Sequence, residues 1–220
     1  MEKRRDSATA YIILADGFET IEALTPLDVL RRCGVEVTTI SLNKTRAVRS
    51  SHGVTVEADA TMEEYMLKRS NAGSSSSAGS SSGSINTTNA GSTTTSGSAV
   101  QQALILPGGY PGYKNLCESA EVGALITQFH KEGKLLCAIC GAPTALKANQ
   151  ICRGAAITCH TSVKEELSDY YSILSSAVVK YMNIITGMGA GRSLDFAFAI
   201  AEALTSKEKV EEIKAKMEII

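Results

Sequence analysis

The segment Ala138-Ile139-Cys140-Gly141-Ala142-Pro143 carries an apolar run onto a cysteine and begins a helix-forming stretch directly after it. A thiol on a sharp strand-to-helix turn has the layout of a nucleophile elbow. Backbone N–H groups and the helix dipole at such a turn favour the thiolate, so the expected Cys140 pKa lies below the free-cysteine value. The plainer reading is a buried, inert cysteine, the usual fate of the residue type. Cys137 and Cys140 also form a Cys-x-x-Cys pair. Three extended residues span about 10 Å, beyond the reach of a disulfide. No second Cys-x-x-Cys supplies the remaining ligands of a zinc site. Neither a redox pair nor a metal is expected.

Glu22 is the candidate acid or base. A helix predicted from about Glu19 to Cys33 puts Glu22, Pro26, Val29, Leu30 and Cys33 on one apolar stripe, just past the carboxyl end of the first strand. Ligands of open α/β sheets bind at that edge, and burial there raises a carboxyl pKa. The alternative is a glutamate at the rim of the core that reaches solvent. Of three histidines, His160 follows a strand at the same edge, His52 sits in a hairpin turn, and His130 lies on a helix and is expected to be solvated. Gly108-Gly109 ends another strand and offers backbone donors for an oxyanion, or a plain tight turn. Gly187-Met188-Gly189-Ala190-Gly191 departs from the dinucleotide fingerprint and reads as a turn lining a pocket.

These residues need a frame that brings strand ends together. Tyr11–Ala15, Val35–Ile40, Ala103–Leu106, Leu135–Ile139 and Ala155–Thr158 read as strands, several of them continuously apolar, as buried parallel strands are. Val122, Leu125, Ile126 and Phe129 mark a helix face, and Ser193–Leu204 is an almost wholly apolar helix. Pro26 should kink the first helix, and Thr205 with Glu208 reads as the capping box of a last one. Alternating βα units imply a mostly parallel sheet between helices, in one domain spanning 1–220. Residues 70–98 hold only Ser, Gly, Thr, Asn and Ala apart from Ile85, a composition that favours a disordered insertion.

The 220 residues carry 22 Lys+Arg against 23 Asp+Glu and no Trp, which argues against a nucleic-acid partner. No apolar run reaches the roughly 18 residues of a membrane span, and residues 1–9 lack the apolar core of a secretory signal. With six sparse cysteines, the expectation is a cytoplasmic protein with reduced thiols.

Taken in order, Asp16-Gly17-Phe18-Glu19-Thr20-Ile21-Glu22, Leu106-Pro107-Gly108-Gly109, Ala138 through Leu146, Thr158-Cys159-His160, and Thr186-Gly187 through Ala197 resemble the ThiJ/PfpI superfamily. Within it they resemble the DJ-one-like protein deglycase branch. The resemblance implies a flavodoxin-like three-layer α/β/α sandwich and a homodimer. It casts Cys140 as nucleophile, Glu22 as the carboxyl bonded to it, His160 as a nearby histidine, and Gly109 and Gly141 as oxyanion donors. The implied activity is glutathione-independent glyoxalase or protein deglycase chemistry on methylglyoxal, glyoxal or glycated protein, with no cofactor. The chain departs from its relatives at His52 and Met188, which stand where they carry arginines, and at Ser50 and Glu57, which replace peripheral cysteines.

The same three residues would also serve a redox sensor that oxidises Cys140 to a sulfinate. A glutamine amidotransferase-like hydrolase would need His-x-Glu after the nucleophile, and the single such pattern, His130-Lys131-Glu132, precedes it.

Overall fold

Tyr11–Ala15 lies at the heart of the molecule. The computed structural model describes residues 8–74 and 101–219. In it, β1 (Thr9–Leu14) is flanked by β2 (Glu36–Ser41) and β6 (Gln102–Leu106), both parallel to it. Its side chains alternate between two cores. Ile12 and Leu14 face one cluster, and Ile13 and Ala15 the other. This two-sided burial explains why the run is continuously apolar.

The first half of the chain contributes β1, α1 (Thr20–Arg32), β2, the hairpin β3 (Ala47–Arg49) and β4 (Thr55–Glu57), β5 (Ala60–Thr61) and α2 (Met62–Ser74). The second contributes β6, α3 (Gly112–Glu118), α4 (Ala120–Lys131), β7 (Leu135–Ile139), α5 (Pro143–Ala148), β8 (Ala156–Ile157), α6 (Lys164–Ser168) and β9 (Ser172–Ile173). It closes with β10 (Val178–Tyr181), β11 (Ile184–Gly187), α7 (Ser193–Leu204) and α8 (Lys207–Lys216). The seven-stranded sheet runs β10-β11-β7-β6-β1-β2-β5, with only β10 antiparallel. Helices α1, α7 and α8 cover one face through Phe196, Ile200 and Val210. On the other face, α4 and α5 pack through Phe129, Ile126 and Leu146. This is a flavodoxin-like three-layer α/β/α sandwich.

From β1 the chain winds outward through β2 to β5, then returns to β6 and winds the other way. The order therefore reverses between β1 and β6, where a crevice opens at the strands' carboxyl ends. Glu22, Gly108 and Cys140 all follow strands ending there.

The structure corrects several expectations. Helix α2 runs to Ser74, so the segment 70–98 begins inside a helix; the rest of it, from 75 on, lies outside the described residues. The cap of α8 is Ser206, whose Oγ accepts from Lys209 N–H at 3.2 Å. Thr205 instead donates its hydroxyl to the Ala201 carbonyl at 2.7 Å, so it extends α7 and leaves capping to its neighbour. Strand β8 pairs with β9 in a separate two-stranded sheet rather than extending the main one.

Candidate active site

Cys140 sits one residue past β7 with φ +66, a left-handed conformation unusual for a residue with a side chain. Such strain costs roughly 1–2 kcal/mol and persists because the surroundings fix it. Its N–H donates to the Gly187 carbonyl at 3.0 Å, and its carbonyl accepts from His160 N–H at 2.9 Å. The elbow is thus clamped between β11 and the segment after β8.

Glu22 meets it from below. The carboxyl is fully buried on the inner stripe of α1 with Ala23, Pro26, Val29 and Leu30. Glu19 caps this helix, its Oε2 accepting from Glu22 N–H at 2.8 Å, which fixes the first turn. Gly108 N–H donates to Glu22 Oε2, also at 2.8 Å. Oε1 is buried without a full hydrogen bond among the described residues, although the carboxyl and the Cys140 sulfur interact directly.

Burial raises the Glu22 pKa to about 7, and the Cys140 contact and Gly108 N–H only partly oppose this. The Cys140 thiol is pushed up to about 12, chiefly by burial and then by the neighbouring Glu22 charge, against the pull of the Gly109 and Gly141 backbone donors. The depressed thiol pKa expected from the sequence is therefore not met. Helix α5 is short and begins only at Pro143, and no cationic side chain is among the groups acting on the sulfur. The two groups titrate as a pair, holding two protons below about pH 7 and one above it.

A cavity of about 650 Å³ opens over this pair, lined by Glu19, Ser51, His52, Gly109, Tyr110, His160 and the turn Met188–Arg192. The pocket-lining reading of Gly187–Gly191 is thus met in its last four residues. The β3–β4 hairpin brings Ser51 and His52 there because Ser51 N–H donates to the Phe18 carbonyl at 2.8 Å. His160 reaches the cavity, but its Nδ1 is engaged by Ser162 Oγ at 2.8 Å, and its contact with Cys140 is through the backbone. His130 lies elsewhere and is not simply solvated: its Nδ1 is buried without a partner among the described residues, and its Nε2 is 3.8 Å from Cys152 Sγ. A larger cavity of about 710 Å³ beside α4 carries none of this constellation. No cluster of three or more His, Cys, Asp or Glu able to hold a metal ion occurs among the described residues.

The DJ-1/PfpI family profile matches residues 8–203. The chain belongs to the DJ-1/PfpI family. It is 33% identical over 208 residues to protein dj-1beta of Drosophila melanogaster, covering 94% of this chain and 95% of that one. It is 30% identical to the Parkinson disease protein 7 homolog of Danio rerio, again over 94% and 95% of the two chains. A Caenorhabditis elegans protein described as the glutathione-independent glyoxalase DJR-1.2 is 38% identical over 107 residues, 48% of this chain and 56% of that one. The crystal structure of Drosophila DJ-1beta superposes with a TM-score of 0.80 at 31% identity, covering 97% and 99%.

Gly108 is the residue of this DJ-1/PfpI site whose importance the sequence understated. Pro107-Gly108-Gly109 reads as a source of oxyanion donors, yet Gly108 N–H is spent on Glu22. A Cβ on Gly108 would lie 2.6 Å from Cys140 Cβ and 2.7 Å from Glu22 Oε2. Its φ is not positive, so the backbone accepts alanine and the clash falls on the pair. Gly108→Ala should lower the melting temperature by several degrees, because Cys140 Cβ is not a flexible chain end that can move aside, and should cut Cys140 alkylation about tenfold or more, since moving either group disrupts the geometry. Alkylation at the wild-type rate would show that the pair tolerates displacement.

Cys137, fully buried in β7 and with its pKa raised by that burial, should be inert where Cys140, open to the cavity, is labelled. Mass spectrometry after brief iodoacetamide treatment reads this directly, and labelling of Cys137 first would reverse the assignment.

Proposed function

We propose that this chain is a glutathione-independent glyoxalase acting on methylglyoxal and glyoxal, with Cys140 as nucleophile and Glu22 as the proton carrier. The observation that carries the reading is the buried Glu22 carboxyl, tuned to about 7, against a strained cysteine under a cavity. The glyoxalase description of the C. elegans relative supports it.

Above about pH 7 the pair holds one proton. Sγ attacks the aldehyde carbon while Glu22 takes the thiol proton, and the backbone N–H groups of Gly109 and Gly141 hold the new alkoxide. Glu22 returns its proton to that oxygen, which completes a hemithioacetal and restores the carboxylate. The carboxylate then removes the C1 hydrogen, giving an enediol, and delivers a proton to C2. C1 ends as a thioester, oxidised at the expense of C2, and water releases lactate, or glycolate from glyoxal. His160 lies on the cavity wall near this path.

Lactate formation from methylglyoxal in deuterated water, without glutathione, tests the proposal. Lactate is the expected result, with deuterium at C2 to the extent that the proton on Glu22 exchanges with solvent before it is delivered, and absence of lactate would overturn the proposal. The same chemistry extends to early glycation adducts on proteins. A cytoplasmic homodimer is the proposed working form. Among the described residues no helix is long and apolar enough to cross a membrane. The donors placed for an alkoxide would equally hold a sulfinate oxygen, which is what favours the redox-sensor reading as the second one.

A further inference from the structure

The cavity over Cys140 is lined by two carboxylates, Glu19 and Glu22, two histidines, His52 and His160, and a single arginine, Arg192; no lysine faces it. Arg192 is therefore its one permanently positive group among the described residues. It ends the turn Met188–Arg192, where Gly189, Ala190 and Gly191 keep the wall low. A side chain on Gly191 would meet nothing within 4 Å. The guanidinium makes no hydrogen bond among the described residues, but it is ion-paired with Asp195, Nη1 to Oδ2 at 3.6 Å. Glu19, by contrast, is committed to the Glu22 N–H. Arg192 therefore stands between the cavity and a neighbouring groove that it lines together with Asp195, and its exposed side chain, held by that one long pair, can turn toward an anion bound over the sulfur.

We infer that Arg192 is a specificity-determining residue that recognises an anionic tail on the substrate, so that this site prefers α-oxoaldehydes carrying a carboxylate over neutral ones. The inference rests on the glyoxalase reading and adds a substrate class to it. A carboxylate can take two parallel N–H bonds from the guanidinium, a geometry that neither histidine offers. The aldehyde end goes to Cys140, and the tail leaves along the glycine-rich turn. The two Glu carboxylates disfavour an anion elsewhere in the cavity, which sets the direction of binding.

4,5-Dioxopentanoate is a suitable probe because its methyl ester keeps the reacting groups and removes the charge. Sγ adds to the C5 aldehyde, and the C5 hydrogen is transferred as a proton to C4 through the enediol. C5 is oxidised, C4 is reduced, and hydrolysis gives 2-hydroxyglutarate with no external oxidant. The expected result is a kcat/KM for the acid about tenfold or more above that for the ester, the scale of a charge-assisted pair at a partly exposed site. That ratio should fall toward one in Arg192→Gln, be partly kept in Arg192→Lys, and shrink with added salt. A wild-type ratio at or below one, or a ratio unmoved by Arg192→Gln, overturns the inference.

A second measurement does not depend on turnover. 4-Oxopentanoate lacks the aldehyde and should protect Cys140 from iodoacetamide at concentrations about tenfold below its methyl ester in wild type, but not in Arg192→Gln. If no dicarbonyl is turned over while this protection difference holds, the glyoxalase reading fails and anion recognition stands. Equal protection by acid and ester removes Arg192 from ligand recognition.

Discussion

Cys140→Ser should reduce glutathione-independent lactate formation by at least about 10³-fold while leaving the fold intact. The hydroxyl fits the space of the sulfur, between Gly108 and the Glu22 carboxyl. It keeps the φ +66 turn clamped by Gly187 and His160. What it loses is nucleophilicity: a serine hydroxyl is far less acidic than a thiol, and a carboxylate with pKa about 7 cannot generate its alkoxide. Backbone donors and the cavity alone give only the residual catalysis of a site without its nucleophile. Melting curves of the two proteins should nearly superimpose. Turnover within tenfold of wild type, with fold retained, would mean that the sulfur is not the attacking atom.

Most of the frame is legible because burial writes itself into residue type. Tyr11–Ala15, Ala103–Leu106 and Leu135–Ile139 are apolar on both faces because each face meets a helix layer, and the stripe that buries Glu22 on α1 follows from period 3.6 alone. Helix α2 went unread, although its start is marked in the sequence. Thr61 and Glu64 form a reciprocal capping box, with Thr61 N–H donating to Glu64 Oε2 at 2.8 Å and Glu64 N–H to Thr61 Oγ1 at 3.2 Å. Its signal is diluted by the polar residues that follow, which also hid where the helix ends.

What stayed hidden in the site is pairwise. Nothing local to Gly108 says that its N–H serves a carboxyl 86 residues away. Local sequence also predicted the wrong direction for the thiol. A cysteine before a helix suggests a stabilised thiolate, whereas the sulfur's proton affinity is set by desolvation and a carboxylate brought from α1. Arg192 escaped notice for a related reason: after a glycine turn it reads as an ordinary charge in front of α7, and only the fold sets it on the cavity wall.

Glu22→Gln should slow dicarbonyl turnover by about 10²-fold or more, and should make the protein more stable above neutral pH. Glutamine keeps the shape, can accept from Gly108 N–H through its carbonyl, and can offer an N–H toward the sulfur, but it carries no proton between carbons. Wild-type turnover should rise with pH through about 7, as the carboxyl becomes the base, and the variant should lose that limb. The stability effect follows from linkage. Glu22 binds its proton more tightly folded, at about 7, than unfolded, near 4.5. Below 4.5 both states are protonated and burial of the carboxyl costs nothing on this account. As pH rises from 4.5 to 7, the unfolded chain ionises first and wild-type stability falls, by on the order of 3 kcal/mol at about 1.4 kcal/mol per tenfold change in proton affinity. Glutamine never ionises, so denaturant melts of the two proteins should agree near pH 4.5 and diverge in favour of Glu22→Gln by pH 8. If the variant is no more stable at pH 8 than at pH 4.5 relative to wild type, the buried carboxyl does not hold its proton as described. If it turns over methylglyoxal like wild type, the proton moves through His160 or water instead. The two readouts are independent, because one reports the proton Glu22 keeps at rest and the other the proton it passes on.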